Sequence, residues 1–437
     1  MTTAGDQPNL ARMWRLGREK LSELESPFGF DASDQQTGLY AALFGRDSLW
    51  ILSFLLEAAE RDPTGECASW VERQGSKILE GLCDFQGQDV HDSIEEQPGK
   101  IIHEYREKLD SRLISYGMPF IGGRSYSGFD QTFLFVTMAK RFIDAFPDTS
   151  LRDVLWSSVK SALEWIERYA DPDGDGLYEY HRRDPRNHVN QVWKDSVDSA
   201  LDTGFDLPKQ PLAWIEVQAY AYRALYDAAE LYVAFDQSSS AEARRLEDKA
   251  ASVRDRVNEA FWLKGERCYA GALDGAKTPI PMVASNAGHA LWAGLVDAAR
   301  AKELVDRLMR PDLMTPYGLR TLSTDNPHYA PFAYHRGNIW PFDNAVVASG
   351  LIRYGFRQEA ESIMSGVVRA IERLGSPIEL YVVLDTKGFV APPVEVPEVL
   401  AFRKFPAQNQ SLGETAAALM YFASALAELQ GKDFPGA

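Results

Sequence analysis

Amphipathic helical stretches recur along the whole chain in pairs, joined alternately by short turns and by long loops. Between Leu151 and Tyr169 the apolar residues fall at 151, 155, 159, 163, 166 and 169, one face of a helix. Similar spacing predicts helices over roughly 10–25, 47–60, 69–87, 130–146, 211–235, 240–262, 286–309, 338–355, 357–374 and 412–430. Strand-like runs are few and short: Glu379 to Leu384 and Cys268 to Ala272. The long connections are Phe85 to Phe129, Asp171 to Gln210, Met314 to Asn338 and Gly375 to Gln410. Loops of such length inside a compact chain usually carry function. Paired amphipathic helices must bury their stripes against one another. Roughly six hairpins with long loops on one side therefore predict an all-α (α/α)6 toroid with its loops at one mouth. A helical solenoid would show a repeated sequence period, and none is found.

The toroid is expected to be a single domain over residues 1–437. No linker or low-complexity tract divides it, and Gln237-Ser-Ser-Ser240 reads as a turn between two helices. A net charge of −17 argues against nucleic-acid partners and anionic membranes, which need a basic face. The three cysteines, Cys67, Cys83 and Cys268, lack metal-ligand spacing, and one must stay unpaired in any intramolecular scheme. No apolar leader or membrane-length run is found. A cytoplasmic protein is expected.

Polar, aromatic and glycine residues crowd into the long loops. In Phe44-Gly-Arg-Asp-Ser-Leu-Trp50, Asp47 either complements a helix start or accepts hydrogen bonds from sugar hydroxyls. Gly99-Lys-Ile-Ile-His-Glu-Tyr-Arg106 and Gly128-Phe-Asp-Gln-Thr132 mix charge with aromatic faces, as a carbohydrate site does; a structural ion pair of Glu104 with Arg106 or Arg124 is the alternative. Asp171, Asp173 and Asp175 match the first half of a calcium loop, but Arg182 stands where the closing acidic ligand belongs, so a turn is preferred. In Asn190-Gln-Val-Trp-Lys-Asp-Ser196, Trp193 can desolvate Asp195 and raise its pKa, as a general acid needs; Lys194 would oppose that shift if it pointed the same way. His289 and His335 lack companion ligands, so no metal is expected. Tyr334 and Trp340 fit a sugar-stacking platform, and fit a core equally well. Glu398 follows a proline in a long loop and is positioned by it, whereas dipole complementation suffices to explain Glu414 in a first helical turn. Nucleophile elbows, Walker loops and dinucleotide fingerprints are absent from the sequence.

These segments, together with Glu216-Val-Gln-Ala-Tyr220, Ser285-Asn-Ala-Gly-His289, Gly318-Leu-Arg-Thr-Leu322, Tyr334-His-Arg-Gly-Asn-Ile-Trp-Pro341 and Pro397-Glu-Val399, resemble in order those of the amylo-α-1,6-glucosidase family within the six-hairpin glycosidases. The resemblance covers about positions 40 to 430. It implies an (α/α)6 barrel, Asp195 as general acid and Glu398 as the base that activates water, with Glu395 and Glu414 as alternatives for the base. It further implies a sugar subsite lined by Arg46, Asp47, Glu104, Asp130, Trp193, Glu216, His335 and Trp340. Such enzymes invert the anomeric centre, with carboxyls roughly 6.5–9.5 Å apart.

The family's N-terminal glycogen-associated domain has no counterpart here, so the expected substrate is a short α-glycoside that loses a terminal glucosyl-like unit. No cofactor is expected, and a small carbohydrate is the expected partner. The alternatives are an inverting phosphorylase using Arg320, Arg336, Arg403 and Lys404, a sugar epimerase using histidines, and a non-catalytic carbohydrate-binding protein.

Overall fold

The computed structural model describes residues 9–34, 40–109, 117–236, 240–383 and 412–436, with the backbone alone at 390–391, 397–398 and 403–404. Its helices are α1 (Leu10–Glu23), α2 (Gly45–Ala59), α3 (Glu66–Asp84), α4 (Gln131–Ala145), α5 (Arg152–Tyr169) and α6 (Ile215–Phe235), followed by α7 (Ser240–Ala260), α8 (Asn286–Ala293), α9 (Ala298–Leu308), α10 (Pro341–Arg353), α11 (Arg357–Leu374) and α12 (Gly413–Leu429). The even-numbered helices form a closed inner ring in which each packs on the next and α12 returns to α2. Odd-numbered helices pack outside them, α1 against α12 and α7 against α6 most extensively. This is the expected (α/α)6 toroid.

Sequence separates the two layers. Outer α7 buries only Ala243, Leu246, Ala250, Val253 and Val257, a single stripe at helical spacing. Inner α2 buries every residue from Ser48 to Ala58, and inner α12 every residue from Gly413 to Ala427. A helix buried all round needs small residues where neighbours approach. A Cβ on Gly350 of α10 would lie 2.5 Å from the Trp292 backbone nitrogen of α8. One on Gly17 of α1 would lie 2.5 Å from the Ala416 carbonyl oxygen of α12.

The axis of the ring is plugged by aromatic side chains. Trp50 meets Trp292 at 5.0 Å, Tyr220 at 5.7 Å and Phe342 at 6.4 Å between ring centroids, and stacks on Phe54 at 5.9 Å. Phe54 stacks in turn on Tyr421. One indole thus ties α2 to α6, α8 and α10, and through Phe54 to α12, forming the floor beneath the mouth.

Two expectations need correction. The single helix expected over 286–309 is two, because Gly294 at φ +78° ends α8 in a left-handed cap and Asp297 starts α9. Strand pairs are also more numerous than expected. Leu43–Phe44, Glu104–Tyr105 and Arg124–Ser125 form one three-stranded patch, and Ala213–Trp214, Ala272–Leu273 and Pro279–Ile280 another. Each patch holds the residues immediately before an inner helix, α2 or α6, and so fixes where that helix begins. No described helix is long and apolar enough to cross a membrane.

Gly350→Ala is expected to destabilise the ring despite alanine's better helix propensity, by about 1–3 kcal/mol of overpacking. A thermal melt at or above the wild-type midpoint would contradict the packing described.

Candidate active site

Because outer helices return the chain after each inner one, all inner helices present their N-termini to the same end. Acidic residues stand in the first turns of four of them: Asp47 (α2), Glu216 (α6), Asp343 (α10) and Glu414 (α12). Asp130 stands just before the first turn of a fifth, α4. Partial positive charge at these helix ends favours carboxylates there. Above them lies a cavity of about 70 Å³. Among the described residues its walls are Tyr40, Phe44, His103, Trp193, Tyr334, His335, Trp340, Phe342 and Leu412, with four acids, Asp47, Asp195, Glu379 and Glu414, and one cation, Arg46.

Arg46 organises one side. Its Nε donates to both carboxylate oxygens of Asp130, at 3.0 and 2.8 Å, and its Nη1 lies 4.0 Å from Asp195 Oδ2. Asp195 differs from the deeper acids in that its side chain remains 32% exposed, open to whatever enters. Burial pushes its pKa up, opposed by His188 and Arg46.

The four residues of Trp193-Lys-Asp-Ser196 diverge. Trp193 stacks on His289 (5.9 Å, 5°) and meets His335 and Trp340 edge-on. Lys194 turns away from Asp195 and donates to the Thr321 carbonyl at 2.7 Å, so its ammonium hydrogen-bonds elsewhere. Burial holds its pKa down at about 8. Ser196 Oγ lies 2.9 Å from His335 Nδ1. Burial first, then Lys194 and Arg46, hold His335 well below the usual histidine range, so it is neutral at pH 7.

On the α2–α12 side, burial raises Asp47 to about 7. Burial and then the charge of Asp47 push Glu414 well above the usual carboxylate range. Glu414 Oε1 has no hydrogen-bond partner, whereas Glu379 accepts a short hydrogen bond from Tyr334 Oη.

Six of the expected site residues therefore line the cavity: Asp195, Arg46, Asp47, Trp193, His335 and Trp340. Glu104, Asp130 and Glu216, also expected in the sugar subsite, stand behind this wall. Glu104 pairs with Arg106 behind the wall, the ion pair named above as the alternative. Asp130 is spent on Arg46, and Glu216 accepts from Asn286 at 2.9 Å with its pKa raised by burial to about 8. The side chain of Glu398 lies outside the described residues, as does all of Glu395; the Glu398 backbone pairs with that of Arg403. Sequence reasoning missed Tyr40, His103 and Glu379 as lining residues. Glu379 carried a signal, an acid flanked by Ile378 and Leu380 in a strand-like run.

A closed ring of helix pairs with a small, aromatic-walled and acid-lined cavity at the inner N-termini is an arrangement suited to the glycoside hydrolases. Within that class the chain belongs to the mannosylglycerate hydrolase MGH1-like glycoside hydrolase domain family, whose profile matches residues 101–381. The amylo-α-1,6-glucosidase family expected from the motifs is not supported, and the family the chain belongs to is this one. The chain is 27% identical over 158 residues to a mannosylglycerate hydrolase from Rubrobacter radiotolerans, a match spanning 35% of this chain and only 35% of that relative. Among solved structures, it is similar to the GH63 mannosylglycerate hydrolase from Thermus thermophilus in complex with Tris and D-glycerate. That likeness covers 94% of this chain and 99% of that chain at 17% identity, with a TM-score of 0.64. A glycosidase in complex with glucose matches over 98% of this chain and 99% of that chain at 10% identity, with a TM-score of 0.60. At such identities the structural likeness speaks for the fold.

Among the described residues, one acidic group has the spacing to hold a metal: Asp171, Asp173 and Asp175, with oxygens within 4.8 Å of one another. A lysine reaches into it. Lys277 Nζ lies 3.1 Å from Asp173 Oδ2 and 2.9 Å from Asp175 Oδ2, and donates at 2.5 Å to the fully buried Glu179. The loop is further closed by its own backbone, Gly176 N donating to Asp171 at 3.0 Å. An ammonium thus supplies the positive charge these carboxylates require. Lys277→Met should cost about 2–3 kcal/mol, below the roughly 3–5 of a fully buried pair because the lysine is partly exposed. The melting midpoint of the variant should recover in millimolar calcium while that of the wild type stays put. A variant as stable as the wild type would remove Lys277 from this role.

Proposed function

We propose that the chain is an inverting, exo-acting glycoside hydrolase that removes one terminal hexosyl unit from a short α-glycoside of a small hydroxy acid such as glycerate. The observation that carries this reading is that Asp195 and Glu414 line one small cavity, Asp195 with its side chain partly exposed and Glu414 with an oxygen that has no hydrogen-bond partner. The cavity's floor of packed aromatics and its aromatic walls suit a single sugar ring, hence removal from a chain end. The glycerate aglycone is suggested by the mannosylglycerate hydrolases the chain resembles, and a hexosyl glycerate fits the expectation of a short substrate.

In the proposed reaction a water attacks the anomeric carbon and gives its proton to Glu414. The bond from that carbon to the glycosidic oxygen breaks, and Asp195 delivers its proton to the departing oxygen. Glu414 is preferred to Glu379, which Tyr334 engages, and it takes the role that the motifs suggested for Glu398. Arg46, Asp47, Trp193, His335 and Trp340 would contact the sugar, with Glu104, Asp130 and Glu216 positioning from behind. Of the four basic residues that phosphorolysis would use, Arg320 and Arg336 are turned to the Val383 carbonyl and to Asp198, and the side chains of Arg403 and Lys404 lie outside the described residues. A second reading, epimerisation, rests on His103 and His335, both in the cavity and both held neutral by burial. The three unpaired thiols suit the reducing cytoplasm.

Wild-type enzyme, Asp195→Asn and Glu414→Gln should be followed by NMR on mannosylglycerate, glucosylglycerate and short α-glucosides, with and without phosphate. The wild type is expected to release β-hexose without phosphate, and each variant to lose roughly 10²–10⁴-fold in turnover. Unimpaired Glu414→Gln would return the base to Glu398, and interconversion of free hexoses would favour epimerisation.

A pH profile offers an independent check. Glu414 must be ionised to accept a proton, so activity rises as pH passes upward through its pKa, giving the acid limb of kcat/KM. Asp47 raises that pKa, and Asp47→Asn should therefore move the acid limb to lower pH. An unmoved limb would assign it to another group.

A further inference from the structure

Behind the catalytic loop, and sharing no lining residue with the active cavity, lies a cleft of about 230 Å³ between α5 and the segments around Lys100 and Glu179. Phe129, Trp165 and Tyr180 supply its aromatic face, with Phe129 meeting the other two rings at 5.4 and 5.3 Å. Three buried polar groups line the same cleft with bonding capacity unused. Glu179 is fully buried; one carboxylate oxygen meets Lys277, and Oε1 has no partner. Gln191 is 1% exposed, and its Nε2 donates to nothing. Lys100 is 2% exposed and donates at 3.1 Å to the Glu95 carbonyl, one bond for an ammonium with three hydrogens.

Buried polar groups are almost always satisfied, so a cleft with one donor and one acceptor unpartnered, Gln191 Nε2 and Glu179 Oε1, beside a lysine with a single hydrogen bond, calls for an occupant that supplies both. Its volume exceeds the roughly 30 Å³ share of one water several-fold. The charges around it balance, Lys100 and Arg183 against Glu95 and Glu179, which disfavours a charged guest. Flat aromatic surface beside hydrogen-bonding groups suits a molecule with an apolar face and a rim of hydroxyls.

We propose that this cleft is a second binding site, for a neutral polyhydroxylated small molecule such as a free hexose, held by Lys100, Glu179 and Gln191 against Phe129 and Trp165. An occupant would brace both segments that build the active cavity. Gln191 stands two residues before Trp193, and its carbonyl accepts from Phe129 N at 2.7 Å. Phe129 in turn precedes Asp130, the partner of Arg46. The site does not depend on which glycoside the enzyme cleaves, and its test reads binding alone.

Crystals of the wild type soaked in glucose, and separately in mannose, should show a hexose in the cleft within hydrogen-bond reach of Lys100 and Gln191. Calorimetry on the wild type should resolve a binding event that Gln191→Leu and Lys100→Met each weaken by about tenfold or more, the scale of one lost hydrogen bond to a buried group. Both variants should retain hexose in the active cavity, which marks them as folded. Ordered water alone in the soaked wild-type cleft would overturn the proposal, as would hexose binding unchanged in both variants.

Discussion

Everything at the mouth of this barrel depends on six parallel inner helices bringing their N-terminal ends together. That convergence concentrates partial positive charge and unpaired backbone N–H groups in one place. It lets the chain bury Asp130, Glu216, Asp343 and Glu414 within a small region, with Asp47 half-buried beside them, which a neutral environment would not tolerate. Helix dipoles alone do not suffice, and two side-chain cations complete the balance. Arg46 is clamped on Asp130, and Lys194 lies among Asp343, Glu216 and the Thr321 carbonyl. The aromatic plug around Trp50 holds the helix ends in register beneath them.

The consequence is a graded set of proton affinities. Burial raises every acid at the mouth for which a shift is resolved, and neighbours decide how far. Asp47 and Glu414, on adjacent helices, raise the pair together, whereas Asp195 sits on a loop near Arg46 and His188 and keeps part of its surface open. The histidines go the other way, since His103 and His335 lose their charge to burial. They therefore offer hydrogen bonds and ring faces rather than charge. One local environment thus yields acids poised to give and take protons beside neutral, aromatic-like walls.

Much of this was legible in the sequence, and the reasons are physical. Helical periodicity reports burial, so the hairpins and the toroid followed from it; the break at Gly294 was missed because apolar residues on both sides keep helical spacing. Trp193 and Asp195 were legible because a tryptophan beside an acid in a long loop has few structural uses. Asp130 and Glu216 looked the same in sequence as Asp47, yet their side chains turn into the wall. Pairing across distant segments decides this, Asp130 with Arg46 and Glu216 with Asn286, and a one-dimensional pattern does not carry it. Glu379 was hidden by its apolar neighbours, which report a strand and say nothing about which side chain faces the mouth.

Glu414 is the instructive case. Its place in the first turn of a helix admits a sufficient structural explanation, complementation of the dipole, and that explanation competes with a functional one only if the two exclude each other. In a ring of parallel helices they do not. The same N-terminal field that stabilises an acid also aims it at the axis, where a substrate must lie. Burial in such a ring does not distinguish a structural acid from a reactive one, because Glu216 and Asp343 are as buried as Glu414 and each also keeps an oxygen with no hydrogen-bond partner. Position does. Asp130 has both oxygens on Arg46 and Glu216 stands behind Asn286, whereas Glu414 lines the cavity itself, so a working carboxylate here is marked by the wall it occupies.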